Sequence, residues 1–494
     1  MYQKIIPKTL ISFYPLAIAI LTVYINVRLL PSLLNPHVIL YPYFLSKGFI
    51  LFKNIIDQQT PLLPHLLLWL SPVFGRNLIL TASIFHGILI CITVILTLVW
   101  LYKVSGLWSM AAGGIFFIAW SNLYGYWATS YYEIVLGPIF FLIFLLTTIR
   151  VEKQKKIFLI MGMLTGIGIL IKQQTMILIV PQFISAIRQY KTKSCILLGL
   201  SYLLLGICVP VLAYIYYYSK IGGNINDLIY WTLTYNFTSS YRIQGAEPPS
   251  ASQLLDILPT LILILPFVHT IFYPEINMKP GRVNRTWLLM FFVSSTIFTF
   301  PRYSDERHIA IALPFITAIS GITCADIVGF AQNNPSRRFF QNISIAIIVF
   351  WVLSSFLIYW PIIKSPLPRQ FGEYSNLLPL AKKIKKEIST QQGVVLLPTD
   401  ERNGNLYYIL QQPPPPYYLS FYPWFTNKDT INQWLLAVES EKPKTLIYFK
   451  GFEWVNLTSC CSEILLYIDN NYQFVRSMNW EKYEVELFSR KEGR

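Results

Sequence analysis

A helical protein that crosses a membrane many times is the fold class this sequence predicts, and three observations predict it. Apolar runs close to the ~20 residues needed to cross hydrocarbon recur from Leu10 to Ile363. Only 13% of the 494 residues are charged, against about 25% in a soluble chain, and the mean hydropathy is +0.48. The short basic clusters, finally, fall on one side of a single register of spans.

That register has about eleven spans, near 10–30, 78–102, 107–127, 132–149, 157–171, 174–187, 195–218, 254–273, 286–300, 309–329 and 342–363. It places the amino terminus inside and the carboxyl-terminal segment outside. The inside loops then hold Lys4 and Lys8, Lys103, Arg150 with Lys153, Lys155 and Lys156, and Arg188 with Lys191 and Lys193. Lys279, Arg282, Arg285, Arg337 and Arg338 complete the set. The net charge of +16 is therefore read as the topology signal of a protein in the cytoplasmic (inner) membrane, and not as a nucleic-acid footprint. The stretch from Lys4 to Tyr24 has no small-residue cleavage site after it and reads as a retained first span.

Two domains are expected, a transmembrane domain over 1–364 and an extracytoplasmic α/β domain over 365–494. The first external loop, 31–77, is broken by Pro31, Pro36, Pro42, Pro61, Pro64 and Pro72. It is too interrupted for a span and too apolar for open water, so it predicts helices lying in the interface. The apolar region 157–187 is too long for one ordinary helix and too short for two full ones with a loop, which predicts a break near Lys172. After Ser365 the charge density rises. "NLLPLAKKIKKEI" (376–388) reads as a helix, "GVVLLP" (393–398), "TLIYF" (445–449) and "YEVELFS" (483–489) read as strands, and a further helix is expected around 428–440. "QQPPPPYYLSFYPWF" (411–425) reads as a rigid connector. The six cysteines show no zinc spacing and no disulfide framework, and the adjacent Cys460 and Cys461 have poor geometry for an ordinary bridge.

The chemistry gathers on the external side. An ionisable group near the bilayer costs on the order of 2.5–3.5 kcal/mol to insert, so such groups mark function by default. His37, Lys53, Asp57, Glu133, Lys172, Arg302, Asp305, Glu306, Arg307 and His308 all fall on that face in this register. Lysines and arginines there suit a phosphate, and a carboxylate or histidine suits removal of a hydroxyl proton. Structural alternatives stand beside each: Lys172 snorkelling from a helix end, Glu133 offsetting a helix dipole, His37 as a polar interface residue, and a surface ion network among residues 302–307. Nothing in the sequence requires a metal.

Three stretches carry a family resemblance. "YPYFLSKGFILFKNIIDQQTPLLPHLLLWLSPVFG" (41–75) is similar to a first external loop with a "G…(Y/F)(K/R)D…D…PPL" pattern. "GIGILIKQQTMILIVP" (166–181) resembles "GLALLTKQT…LLP", and "FPRYSDERHIAIALPF" (300–315) resembles "PR…H…PALPF". Together they resemble the GT-C superfamily of polytopic glycosyltransferases, in particular bacterial members related to aminoarabinose transferases and protein O-mannosyltransferases. The resemblance implies an inverting transfer of sugar from a polyprenyl-phosphate donor to an extracytoplasmic envelope acceptor, which is a glycan, lipid or protein. It implies donor-phosphate contacts from Lys172, Arg302 and His308; Lys53 and Arg307 are further candidate cations for that phosphate, Arg307 matching no position of the resemblance. The acid expected at the start of the first external loop is replaced by Asn35-Pro36-His37, and Asn54 follows Lys53 where an Asp is usual. Asp57, Glu133 and His37 therefore share the catalytic candidacy, Asp57 first. Two other readings stay open: a secondary transporter or flippase for an amphipathic solute, and a non-catalytic binder of lipid-linked sugar.

Overall fold

A computed structural model of the chain describes residues 8–29, 37–123, 131–148, 154–190, 192–235, 264, 267–268, 282–296, 310–333, 353, 372–388, 393–400, 403–422, 425–451, 457–480 and 483–491. Its helices are α1 (Lys8–Leu29), α2 (Leu40–Ser46), α3 (Leu62–Leu70), α4 (Leu78–Ser105), α5 (Leu107–Leu123), α6 (Tyr131–Thr148), α7 (Gln154–Ile171), α8 (Ile179–Gln189) and α9 (Lys193–Lys220). They continue with α10 (Ile225–Ile229), α11 (Arg282–Thr296), α12 (Leu313–Asn333), α13 (Gly372–Glu387), α14 (Leu406–Leu410), α15 (Lys428–Glu441), α16 (Leu457–Cys460) and α17 (Ser462–Asn471). The strands are β1 (Val394–Leu397), β2 (Thr445–Lys450), β3 (Tyr472–Trp480) and β4 (Tyr483–Arg490). Two compact units emerge: residues 1–30, 83–212 and 247–369 form one, and 31–82, 213–246 and 370–494 form the other.

The first unit is made of apolar helices at the expected positions. Among the described residues three are long and apolar enough to cross a membrane, Leu78–Ser105, Lys193–Lys220 and Ala310–Ile327. The expected spans 254–273 and 342–363 lie outside the described residues except at 264, 267–268 and 353. Close approach of backbones sets the packing, as it does where lipid removes the hydrophobic drive between helices. Gly162 and Gly166 of α7 face α9, so that a Cβ on Gly162 would strike the Leu203 carbonyl and one on Gly166 would lie 2.6 Å from that of Ile207. Gly321 of α12 likewise sits where a Cβ would come within 2.7 Å of the Ser109 carbonyl of α5. Phe141 and Phe144 of α6 meet Phe291 of α11 and Phe315 of α12, in ring pairs with centroids 5.4–5.9 Å apart. By contrast, α9 leaves Leu204, Leu205 and Leu212 exposed, as a lipid-facing helix does.

The chain breaks where the apolar run was too long. α7 ends at Ile171, Lys172 takes an extended conformation, and a 3₁₀ segment, Gln173–Leu178, leads into α8. Gly168 leaves the room that Thr175 fills beside the break.

The second unit combines the first external loop with the carboxyl-terminal segment. Its sheet has the order β1-β2-β4-β3, with β1 parallel to β2 and the other pairs antiparallel. β1 is a continuous buried run, and β4 alternates, burying Tyr483, Val485 and Leu487. The parallel β1–β2 pair needs a crossover, which α14 and α15 supply. α15 starts at a capping box in which Asn427 and Thr430 exchange side-chain and backbone hydrogen bonds. In the loop, α2 buries Tyr41, Tyr43 and Phe44. Cys460 and Cys461 are joined to each other, contrary to the expectation from their adjacency: the turn between α16 and α17 brings the two sulfurs together.

The α7–α9 contact is backbone against backbone, so neither helix can yield by a rotamer change. Gly162→Ala is expected to lower stability by about 1–3 kcal/mol. Gly199→Ala, whose nearest neighbour is the movable Tyr190 ring, is expected to cost much less. Thermal unfolding in detergent measures both.

Candidate functional site

In the first unit, the residue at the helix break finds a partner 39 positions earlier. Lys172 Nζ donates to Glu133 Oε1 at 2.5 Å. Glu133 is fully buried near the start of α6, and Lys172 is 6% exposed. Two charges in so dry a place persist only because they neutralise each other. The two predicted residues are thus brought together, and Glu133 serves as counter-ion to the lysine. Polar groups continue along α8, where the buried Gln182 donates from Nε2 to the Thr165 hydroxyl (2.6 Å) and the half-buried Gln189 donates from Nε2 to Ser185 Oγ (2.8 Å).

In the second unit, His37 and Asp57 pair, with Nε2 3.0 Å from Oδ2. Asp57 is buried, and its Oδ1 accepts from the backbone N–H of Gln59 at 2.8 Å. His37 packs edge-on against Tyr41 with centroids 4.7 Å apart. Because a carboxylate only accepts, His37 carries its proton on Nε2 in this bond, and Asp57 fixes the tautomer. Lys53 is exposed on the turn between. Asn54 explains why an acid is missing beside it: its Oδ1 accepts from Ile50 N (3.0 Å) while its Nδ2 donates to Pro416 O (2.9 Å). A carboxylate would make the first bond and lose the second.

Arg302, Arg307 and His308, with Asp305 and Glu306, lie outside the described residues. Among the described residues no group of three His, Cys, Asp or Glu side chains could hold a metal ion. Sequence reasoning missed three features. Arg285 of α11, itself buried, makes a bidentate pair with the half-buried Asp326 of α12, at 2.7 and 3.0 Å. Tyr418 of the proline-rich segment bonds through its backbone to residues 54 and 56. His65 of α3 donates from Nδ1 to Pro61 O at 2.9 Å, with the Tyr214 hydroxyl 3.1 Å from the same nitrogen. None of the three carries a local signal, since each partner is distant in sequence or a bare carbonyl.

Two outcomes follow from these geometries. Glu133→Gln or Lys172→Met alone strands a buried charge and is expected to cost about 3–5 kcal/mol, whereas Glu133→Leu with Lys172→Met together stays near the wild-type stability; thermal unfolding of the three variants tests this. Burial holds the His65 imidazole down to about 4, from an ordinary 6.5. A lowered folded value means the unfolded chain binds the proton first, so this contribution to stability is whole above pH 6.5 and fades as pH falls towards 4. The pH dependence of unfolding over that window is expected to flatten in His65→Gln.

No family model matches the chain, and no curated protein does. Solved structures do resemble it. ArnT from Cupriavidus metallidurans bound to undecaprenyl phosphate superposes with a TM-score of 0.62 at 11% identity, over 97% of this chain and 98% of that one. The apo state of the same enzyme gives 0.59 at 10% identity, over 96% and 97%. The arabinofuranosyltransferase AftD from Mycobacteria gives 0.54 at 11% identity, over 96% of this chain and 41% of that longer one. A mostly helical chain with a broken helix at Lys172 and a small terminal sheet, superposing on these proteins over nearly its whole length, shares their fold.

Proposed function

We propose that the protein is a membrane glycosyltransferase that moves a sugar from a polyprenyl-phosphate donor to an acceptor hydroxyl on the extracytoplasmic side, with inversion. The observation that carries this reading is the pairing of His37 with the buried Asp57 in the first external loop of a GT-C-like fold. An acceptor oxygen attacks the anomeric carbon, the bond from that carbon to the phosphate oxygen breaks, and polyprenyl phosphate leaves. The acceptor proton goes to His37 Nδ1. Both oxygens of Asp57 are engaged, so it acts through His37, holding the ring and stabilising the imidazolium.

Lys172 is assigned to the donor phosphate, with Lys53, Arg302, Arg307 and His308 as further contacts. Glu133 balances Lys172 until an anion arrives. The topology that goes with this has the amino terminus in the cytoplasm and the domain 365–494 outside the cytoplasmic membrane. The envelope acceptor is a glycan, lipid or protein. A second reading, a transporter or flippase, is supported by the break at Lys172 and the polar residues along α8. The two differ in product: transfer or hydrolysis frees the sugar from its lipid, and flipping leaves it attached.

The test is to incubate purified protein in detergent with radiolabelled polyprenyl-phosphate sugars and follow label leaving the lipid phase. His37→Gln and Asp57→Asn are each expected to lower turnover by about 10²–10⁴, and the double variant by no more than the worse single one. The stable Glu133→Leu/Lys172→Met pair is expected to lose donor binding. Label that crosses a vesicle membrane while still lipid-linked would favour the transporter.

A further inference from the structure

We propose that Tyr418, in the proline-rich segment of the carboxyl-terminal domain, is a positioning residue for the His37–Asp57 pair; only its kinetic test rests on the glycosyltransferase reading. Tyr418 N donates to Asn54 O at 2.6 Å, and Ile56 N donates to Tyr418 O at 3.1 Å. With the Asn54–Pro416 bond, these fix the backbone up to the residue before Asp57. The Tyr418 ring lies edge-on to Tyr41 with centroids 6.2 Å apart, and Tyr41 is the ring against which His37 packs. One residue therefore supports both members of the pair, Asp57 through the backbone and His37 through an intervening ring.

The hydroxyl adds a second link. It is buried, with Thr399 and Ser420 beside it, and the carboxylates of Asp400 and Asp57 both bear on its ionisation. Burial, more than these carboxylates, holds the phenol well above the ordinary tyrosine value, so it remains a neutral donor. A neutral donor near two buried carboxylates offsets part of the cost of keeping them charged. The space for it exists because residue 404 is glycine: a Cβ there would stand 2.6 Å from the phenol oxygen. Asp400 is itself held rigidly, with its N–H donating to Asn403 Oδ1 (2.9 Å) and its Oδ1 accepting from Asn403 N (3.1 Å). A segment that looks like a spacer in the sequence is, in the fold, part of the wall behind the proton acceptor.

The experiment compares Tyr418→Phe, which keeps the ring and backbone bonds, with Tyr418→Ala and with Tyr467→Phe. Tyr467 is another phenol of the same domain, bonded to Glu439 at 2.6 Å and remote in the bonding pattern from residues 54–57. With ¹⁵N-histidine label, the His37 ring signals, assigned by loss in His37→Gln, are expected to move in Tyr418→Phe and further in Tyr418→Ala, and to stay in place in Tyr467→Phe. His37 signals unchanged in Tyr418→Phe overturn the inference, whether or not the alanine variant folds. In the labelled-donor assay, Tyr418→Phe is expected to lower turnover about tenfold with KM within about twofold, and to have no further effect in a His37→Gln background. Losses that multiply would overturn the positioning role. If wild-type protein releases label from none of the donors, the glycosyltransferase reading falls, and the histidine spectra still decide the placement of Tyr418.

Discussion

A charge withdrawn from water must be answered inside the protein, and that constraint organises this chain. At the break between α7 and α8 the lysine is answered by a carboxylate from α6, and between α11 and α12 Arg285 is answered by both oxygens of Asp326. In the loop that follows α1, Asp57 is answered by an imidazole and a backbone N–H. In each ion pair the partners lie 20 or more residues apart in sequence, so each pair ties the fold together at the point where a lone charge would cost several kcal/mol.

The same constraint acts on the backbone. A helix that stops inside an apolar region leaves peptide groups open, and here the 3₁₀ turn and the Thr175 hydrogen bond back to Lys172 O take up part of the deficit. Where helices remain intact, glycine allows them to approach until backbone touches backbone, as α7 does on α9. Among the described residues, the irregular position at Lys172 is thus supported from both sides. Such positions are where chemistry is commonly placed.

In the second unit the loop and the terminal domain are one piece of structure. Aromatic rings from α2 pack against Tyr407, Tyr408 and Tyr418, and a parallel bridge pairs Ile55 with Tyr418. The proline-rich run is suited to this. Prolines 413–416 remove backbone donors and stiffen the approach, so that the donors of Tyr418 and Phe421 are delivered to fixed acceptors, Asn54 O and Thr399 O.

The sequence by itself determined the class of fold, most helix positions, the break at Lys172, and the strands β1, β2 and β4, because each follows from composition or periodicity along the chain. β3 escaped notice because it buries Tyr472, Met478 and Trp480 but exposes the five residues between the first two, so it has no alternation to read. His37, Asp57, Glu133 and Lys172 were all legible as polar groups in costly places, yet as rivals and not as pairs. Which carboxylate answers which cation depends on contacts between segments 20 and 39 residues apart, and no local pattern encodes them. Tertiary structure alone decided that Glu133 pairs with Lys172 and Asp57 with His37. It also bonded Tyr418, in what reads as a spacer, to the backbone of residues 54 and 56, because burial and partnership are properties of the folded chain.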